Sequence, residues 1–350
     1  MNLISSRPNL MALVMTLGAT LISVAVTGFQ FGINNNVFHI PYVLQHGNLP
    51  IFENDPLYSS LEKFTSLIWP ILRLISTEGN VEQVFLISHL ISRLVAFLAL
   101  YWFFKENGIT RLATLLLALT TAAVCPWLLN GSVGGHGLFV QYFTHSEATW
   151  GPLIAALVAA QLGKLRLAAA FAGAVFLINA FVGVWLAIIL AATIAGNANQ
   201  RRDWTLLVQS ISTFILICAP VVIWIVLAIK DKATVPDYSY IEYVRAYYPG
   251  HFLIESMSLY AIGKLSVIAY CGFIAAYIGN FRKFWFFVLG TLVALLVIGS
   301  VLPYIFNNRF VFNLHLLRSA GVLEFVLVQH LFCKFVACWF CGILPAAAMR

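Results

Sequence analysis

Long apolar runs separated by shorter polar segments dominate the pattern along this chain. Inside a bilayer, backbone hydrogen bonds must be satisfied within helices or closed barrels. The runs are continuous and do not alternate as barrel strands do, so helices are favoured. The pattern therefore predicts an all-α polytopic transmembrane bundle of about ten spans. The predicted spans are residues 10–29, 83–104, 111–129, 148–163, 167–180, 181–196, 204–229, 258–279, 283–302 and 322–345.

Composition agrees with a membrane protein, since 61% of the residues are hydrophobic and only 9% are charged. The net charge of +7 lies in Lys and Arg clusters between the runs, which is a topology signal and not a nucleic-acid footprint. We expect one integral membrane domain over 1–350, with a core module at 1–229 and variable C-terminal spans at 230–350. The first apolar run is expected to be an uncleaved helix.

The stretch 167–196 has two interpretations, one long tilted helix or two short helices broken near Asn179–Gly183. With two crossings, all the basic clusters fall on one side of the membrane, which should be cytoplasmic. With one crossing, the later loops change sides. Charge therefore favours two crossings.

The loops on the opposite side are the long ones. The first, 30–82, contains an amphipathic stretch around 58–76, so we expect a long external loop with short interfacial helices. On this topology the external loops and outer helix ends hold 11 of the 13 carboxylates and all eight histidines. This concentration predicts a site that opens on the outer face. Compact folding of those loops is the alternative.

Asp55, with Glu53 beside it, is the first candidate for chemistry. A carboxylate just outside the membrane can act as general base toward a hydroxyl acceptor. The pair could instead hold a divalent cation, although nothing in the sequence requires a cofactor. A purely structural role is also open, because Asn54–Pro56 is a good turn and helix-start signal.

Two further loops carry candidate ligand-binding residues. His145 and Glu147 enter a predicted helix at its N-terminus, where backbone N–H groups favour an anion. Glu147 could equally be a helix-dipole partner in the first turn. Arg245, Tyr248 and His251 suit a phosphate and a sugar or lipid headgroup, but tyrosines are also ordinary at the membrane interface.

Four ionisable residues fall within predicted spans, where they usually face a cavity or a partner: Arg93, Lys264, Glu324 and Lys334. Ser88, His89, Ser92 and Arg93 are expected to share one helix face. No metal site is predicted, because His330, Cys333, Cys338 and Cys341 would spread over roughly 16 Å along one helix. Nucleotide-binding and common hydrolase motifs are absent from the sequence.

The layout resembles the GT-C superfamily of polytopic glycosyltransferases, more closely an uncharacterised bacterial branch. The resemblance covers about residues 30–320 and rests on short motifs at Gly32–Asn36, Glu53–Asp55, Phe143–Ser146 and Tyr248–His251. In this superfamily the donor is typically a polyprenyl-phosphate sugar and a first-loop carboxylate is the base. The chain departs from the family in the distance of Asp55 from the first helix and in its short C-terminus.

The resemblance implies an inverting transfer of a sugar to a glycan, lipid or protein acceptor at the outer face of the bacterial cytoplasmic membrane. Asp55 would be the base, accompanied by Glu53. The substrate-binding residues that we predict are His39, His145, Glu147, Arg245, Tyr248, His251 and Arg318. A secondary transporter or lipid-linked-substrate carrier is the alternative, for which Asn179–Gly183 would be a helix break. A non-catalytic membrane subunit is a third possibility.

Overall fold

The computed structural model describes residues 8–52, 61, 65–125, 133–134, 138–230, 239–279, 281–306, 312 and 314–326. These residues form α-helices and short 3-10 turns, with no strand among them. The α-helices, in chain order, are α1 Pro8–Thr27, α2 Asn36–Val43, α3 Ile68–Ile75, α4 Val81–Glu106, α5 Leu112–Val124, α6 His145–Ala148, α7 Trp150–Gln161, α8 Leu165–Ile178, α9 Ala180–Gly196, α10 Ala198–Arg202, α11 Trp204–Lys230, α12 Tyr240–Tyr247, α13 Pro249–Phe252, α14 Leu259–Ile278 and α15 Arg282–Ile305. The 3-10 turns are His46–Asn48, Pro50–Phe52, Ile254–Ser256 and Leu316–Ser319.

A helix lies at each of the first nine predicted spans, with ends within a few residues of those expected. The tenth, 322–345, falls mostly outside the described residues. Five helices in the described part are long and apolar enough to cross a membrane: α1, α4, α11, α14 and α15. The protein is therefore an integral membrane protein built of helices. The remaining helices at predicted spans are shorter, so the number of crossings stays a prediction.

Contacts between turns show that the basic clusters between the described helices share one end of the bundle, here called the basic end. Phe103 near the end of α4 packs against Trp285 at the start of α15, with ring centroids 5.7 Å apart. Gly196 at the end of α9 lies against Phe287. Gly163, between α7 and α8, faces the Gln200 side chain in α10. These contacts bring together the turns that carry Lys105, Lys164, Arg201 and Arg282, among others.

The opposite end, here called the cavity end, gathers the long loops. Gln30 donates its backbone N–H to the carbonyl of Gln141. His251 lies 3.3 Å from the carbonyl oxygen of Gly134, through its Nδ1 atom. Four helices at predicted spans, α7, α8, α9 and α11, lie between these two loops in sequence, together with the shorter α6, α10 and α12. Because the two loops meet, the chain between them makes an even number of passages from one end of the bundle to the other. The interpretation of 167–196 as two helices gives such an even number.

The turn at Asn179 explains how α8 and α9 form a hairpin. Asn179 has extended backbone angles, and its side-chain oxygen accepts the N–H groups of Phe181 and Val182, capping α9. Gly183 packs against Phe176 so closely that an added Cβ would lie 2.6 Å from the Phe176 Cα. In one continuous helix, residues seven apart would be separated by roughly 10 Å. The chain therefore reverses here, so Asn179 is not a break inside one span.

The first loop folds onto the cavity end through α2 and α3. Asn36 donates its side-chain amide to the carbonyl of Phe143, 2.9 Å away. Trp69 in α3 is almost fully buried, whereas Leu74 on the same helix is 85% exposed. An apolar face left exposed five residues before α4 is typical of a helix at the membrane boundary. The described part of the predicted interfacial stretch thus contains one short helix.

Gly183 should be intolerant of any side chain, because the nearest atoms are the Cα and Cβ of Phe176, which cannot move aside easily. We expect Gly183→Ala to destabilise the protein by about 1–3 kcal/mol. Gly290→Ala is the matched control, since Gly290 is also helical but has open space around it. That variant should be neutral or slightly stabilising. Thermal unfolding in detergent compares them, and equal midpoints would contradict the tight hairpin.

Candidate functional site

A cavity of about 410 Å³ opens at the cavity end of the bundle. Its walls combine polar and aromatic groups from segments that are far apart in sequence. They come from the start of α2, the loop before α6, the helix pair α6–α7, the Asn179 turn, α13 and the 3-10 turn at Leu316–Ser319. The polar residues among them are Asn34, Asn35, Tyr142, Thr144, Ser146, Glu147, Thr149, Asn179, His251, His315 and Arg318.

Two capped helix N-termini border this cavity. Thr144 accepts the backbone N–H of Glu147, and Asn179 caps α9 from the cavity wall. Asn179 also donates its amide to the Ser146 hydroxyl, 3.2 Å away, which joins the two caps. The positive end of the long α9 dipole thus lies beside the cavity, where it favours a negatively charged ligand.

A buried ionic cluster anchors the cavity wall. Arg93 donates Nε–H to one oxygen of Glu147 at 2.9 Å, and His89 Nδ1 lies 2.7 Å from the other. Arg93 also donates to the Ser23 hydroxyl in α1 and to the Val140 carbonyl. Arg93 and His89 are wholly buried and Glu147 nearly so. Since both Glu147 oxygens are engaged, this carboxylate is a structural anchor and not an uncommitted acceptor.

Arg318 is the cationic group that this arrangement leaves without a counter-charge. Its guanidinium forms no hydrogen bond or ion pair with any of the described residues. Surrounding protein desolvates it and lowers its pKa, while nearby Tyr142 acts in the opposite direction. The side chain keeps some accessible surface because it lines the cavity. A desolvated arginine facing an open cavity is a site for an anion such as phosphate.

His251 and His315 lie with Arg318 in the cavity wall. The Leu316–Ser319 turn is pressed against Gly134, where an added Cβ would lie 2.5 Å from the Leu317 carbonyl oxygen. Gly134 also has a positive φ of 75°, which glycine adopts most easily. This contact fixes the 3-10 turn, and with it Arg318, to the loop that His251 touches.

His39 and His145 pack behind the cavity wall with Trp69. The His39 and Trp69 rings are stacked at 3.8 Å, and His145 approaches both edge-on. Burial lowers the pKa of His39 to about 4 and that of His145 well below its usual value. Both imidazoles are therefore neutral at pH 7, and they join α2 and α3 to the N-terminus of α6.

Of the predicted site residues, Glu147, His251 and Arg318 line the cavity, and His39 and His145 support it. Two lie elsewhere. Arg245 pairs with Glu255 at 2.6 Å on the exposed surface, and Tyr248 is 54% exposed. The ion pair explains why Arg245 turns away from the cavity. Glu53 and Asp55 lie outside the described residues.

Sequence reasoning missed Tyr142, Asn179 and His315 as members of one wall. Tyr142 stood in the loop with His145 but carried no ligand-binding signal of its own, and Asn179 was considered only as the helix break of a transporter. The sequence did single out Arg93, because an arginine inside an apolar run needs a partner. The sequence could not identify Glu147 as that partner, since 54 positions separate the two residues.

Removing one member of the Arg93–Glu147 pair should leave an uncompensated buried charge. We expect Arg93→Ala or Glu147→Ala to cost about 3–5 kcal/mol. The double variant Arg93→Ala/Glu147→Ala should cost clearly less than the two single variants combined. A double-mutant cycle by denaturant unfolding in detergent measures this coupling. Additive losses would contradict a coupled pair.

Acid should destabilise the protein, because buried His39, His145 and His315 bind protons only after unfolding. Burial lowers the pKa of His39 from 6.5 to about 4 and that of His315 to about 3. Below pH 6.5 the unfolded chain binds more protons, so stability falls as pH falls toward 4. Each histidine lowers the free energy of unfolding by at most about 1.4 kcal/mol for each pH unit of acidification.

Thermal unfolding between pH 4.5 and 7.5 tests this, and His39→Phe should reduce the slope. The His46→Gln variant is the control, because His46 is partly exposed beside Glu78. An unchanged slope in His39→Phe would refute a contribution from His39.

Comparison of the chain with models of known protein families, with curated proteins and with solved structures finds no match. The resemblance to the GT-C superfamily therefore stays a prediction. The function proposed for the cavity rests on its own residues.

Proposed function

We propose that the cavity binds the phosphate of a lipid-linked sugar and that the protein is a membrane glycosyltransferase. The observation that carries this proposal is the desolvated Arg318 guanidinium, which faces an open cavity without a counter-charge among the described residues. The Glu147 charge is already balanced by Arg93, so the wall retains a positive charge. A phosphate group supplies the complementary charge, and two of its oxygens can accept the parallel N–H groups of one guanidinium.

The remainder of the wall suits a sugar. Asn34, Asn35 and Asn179 present amides, and Trp150 and Trp185 present indole rings. Amides can both donate to and accept from sugar hydroxyls, while aromatic faces pack against the C–H surface of a sugar ring. The Trp185 indole N–H is already donated to the Leu314 carbonyl, which fixes its ring.

A second, apolar cavity of about 290 Å³ suits the hydrocarbon of the donor. It lies between α14 and α15 and is lined by residues such as Ile262, Val293 and Leu317. Val133 lines both cavities, and Leu317 directly precedes Arg318. A polyprenyl chain in this groove would place its phosphate beside Arg318.

The proposed reaction is an inverting substitution at the outer membrane face. The acceptor hydroxyl attacks the anomeric carbon, its proton passes to Asp55, and the sugar–phosphate C–O bond breaks. Arg318 stabilises the negative charge that develops on the departing lipid phosphate. Asp55 has this role through the sequence resemblance alone.

A transporter would instead use helices broken near the membrane midplane. Asn179 was the expected break, but it is the turn of a hairpin at the cavity end. The hairpin is not the mid-membrane break that a transporter would use, and this supports the glycosyltransferase as the preferred proposal.

Arg318→Gln should weaken binding of a polyprenyl-phosphate sugar by about ten- to a hundredfold, through loss of a charge-assisted hydrogen bond. Binding is measured on protein in nanodiscs. Arg245→Gln is the matched control, because that arginine pairs with Glu255 away from the cavity. The Arg318 variant should remain as stable as the wild type, since it loses an unpaired buried charge. Equal affinity in the two variants would refute the phosphate site.

Asp55→Asn should lower the transfer rate by about a hundred- to ten-thousandfold while donor binding is preserved. The assay follows radiolabelled sugar passing from the lipid donor to acceptor in membranes. Wild-type transfer by this variant would exclude Asp55 as the base and leave the phosphate site untouched.

A further inference from the structure

His315 has a backbone conformation that is uncommon for residues other than glycine. Its φ of 47° lies in the left-handed region, where glycine or asparagine is easier to accommodate. Such strain persists only when the surrounding structure enforces it, and it concentrates at functional sites. The residue directly precedes the Leu316–Ser319 turn that carries Arg318.

The imidazole of His315 is held in one place at the cavity wall. The Phe252 ring lies 4.6 Å from it and the Phe181 ring 5.2 Å, measured between centroids. The Nδ1 atom is buried and has no hydrogen-bond partner among the described residues. The side chain nevertheless lines the cavity. A ring that is fixed but not satisfied is prepared to bind a ligand.

The charged and titratable groups near His315 come from several elements. Arg318 follows it on the same turn, His251 faces it from α13, and His145 lies across the wall on α6. Burial is the main cause that lowers the pKa of His315, followed by Arg318 and His251. Each of these influences disfavours a positive charge on the ring, so the empty cavity contains a neutral imidazole.

We propose that His315 binds the ligand's anionic group together with Arg318 and takes up a proton from solvent as the anion enters. This inference rests on the proposed phosphate site and adds its pH dependence. An anion beside the ring offsets the repulsion from Arg318 and stabilises the imidazolium. The sequence did not single out this residue as part of the site.

The sign of the effect follows from linkage. Because the complex binds a proton that the empty protein lacks, affinity for the anion rises as pH falls. The dissociation constant of the anion changes by at most about tenfold per pH unit while one proton is taken up. It is confined to pH values between the pKa of His315 in the empty cavity and its higher pKa in the complex.

Sulfate is a suitable probe, since its charge is constant between pH 5 and 7.5. Its dissociation constant is measured by calorimetry on the full chain in detergent, for wild type and His315→Asn. Asparagine accepts the left-handed backbone and does not titrate. We expect the variant to be at least as stable as the wild type at pH 7.5 and to bind sulfate with little pH dependence. The wild type should bind at least tenfold more tightly at pH 5 than at pH 7.5.

His46→Asn is the control for removing a histidine outside the cavity, and it should retain the wild-type pH profile. Equal pH profiles in wild type and His315→Asn would overturn the role of His315 while leaving the anion site in place. Failure of the wild type to bind sulfate at any pH would overturn the anion site itself, and this proposal with it.

Discussion

The fold of the cavity end depends on the buried pair of Arg93 and Glu147. One guanidinium joins α4 to α1, to the loop before α6 and to α6 itself. Taking a carboxylate and an arginine out of water is costly, and their contact with each other and with His89, Ser23 and the Val140 carbonyl offsets that cost. The pair thus fixes the relative position of three segments that short-range preferences would leave independent.

This pairing also determines the electrostatics of the cavity. Two charges that compensate each other contribute little field, and histidines that burial keeps neutral contribute no charge. Among the described residues that line the cavity, Glu147 is already paired with Arg93, whereas Arg318 has no ion-pair partner. On the proposed function, the wall would bind a charged group near Arg318 and the rest of the ligand through amides and aromatic rings, a division common in small-molecule sites.

Much of the architecture was predictable because bilayer physics restricts the choices. Apolar runs identified the helices, and the clusters at Lys164, Arg201 and Arg282 identified turns that do share one end. Placing all basic clusters on one side also predicted that His251 and Glu147 would lie together at the opposite end. Side-chain direction did not follow, since Arg245 lies close to His251 in sequence but turns to Glu255. The partner of a charged side chain depends on tertiary geometry, which the spacing of residues does not encode.

The short hairpin of α8 and α9 has a consequence for where the cavity lies in depth. Their 14 and 17 residues rise about 21 and 26 Å, less than the roughly 30 Å of a typical hydrocarbon core. On the predicted topology, in which both helices cross the membrane, the bilayer beside them must thin, or the Asn179 turn lies below the headgroups. In either case the cavity floor is closer to the acyl chains than the ends of α4 and α15 are. If the proposed transfer takes place there, an acceptor would have to enter a partly dehydrated layer to react, and its own affinity for the membrane would become part of substrate selection.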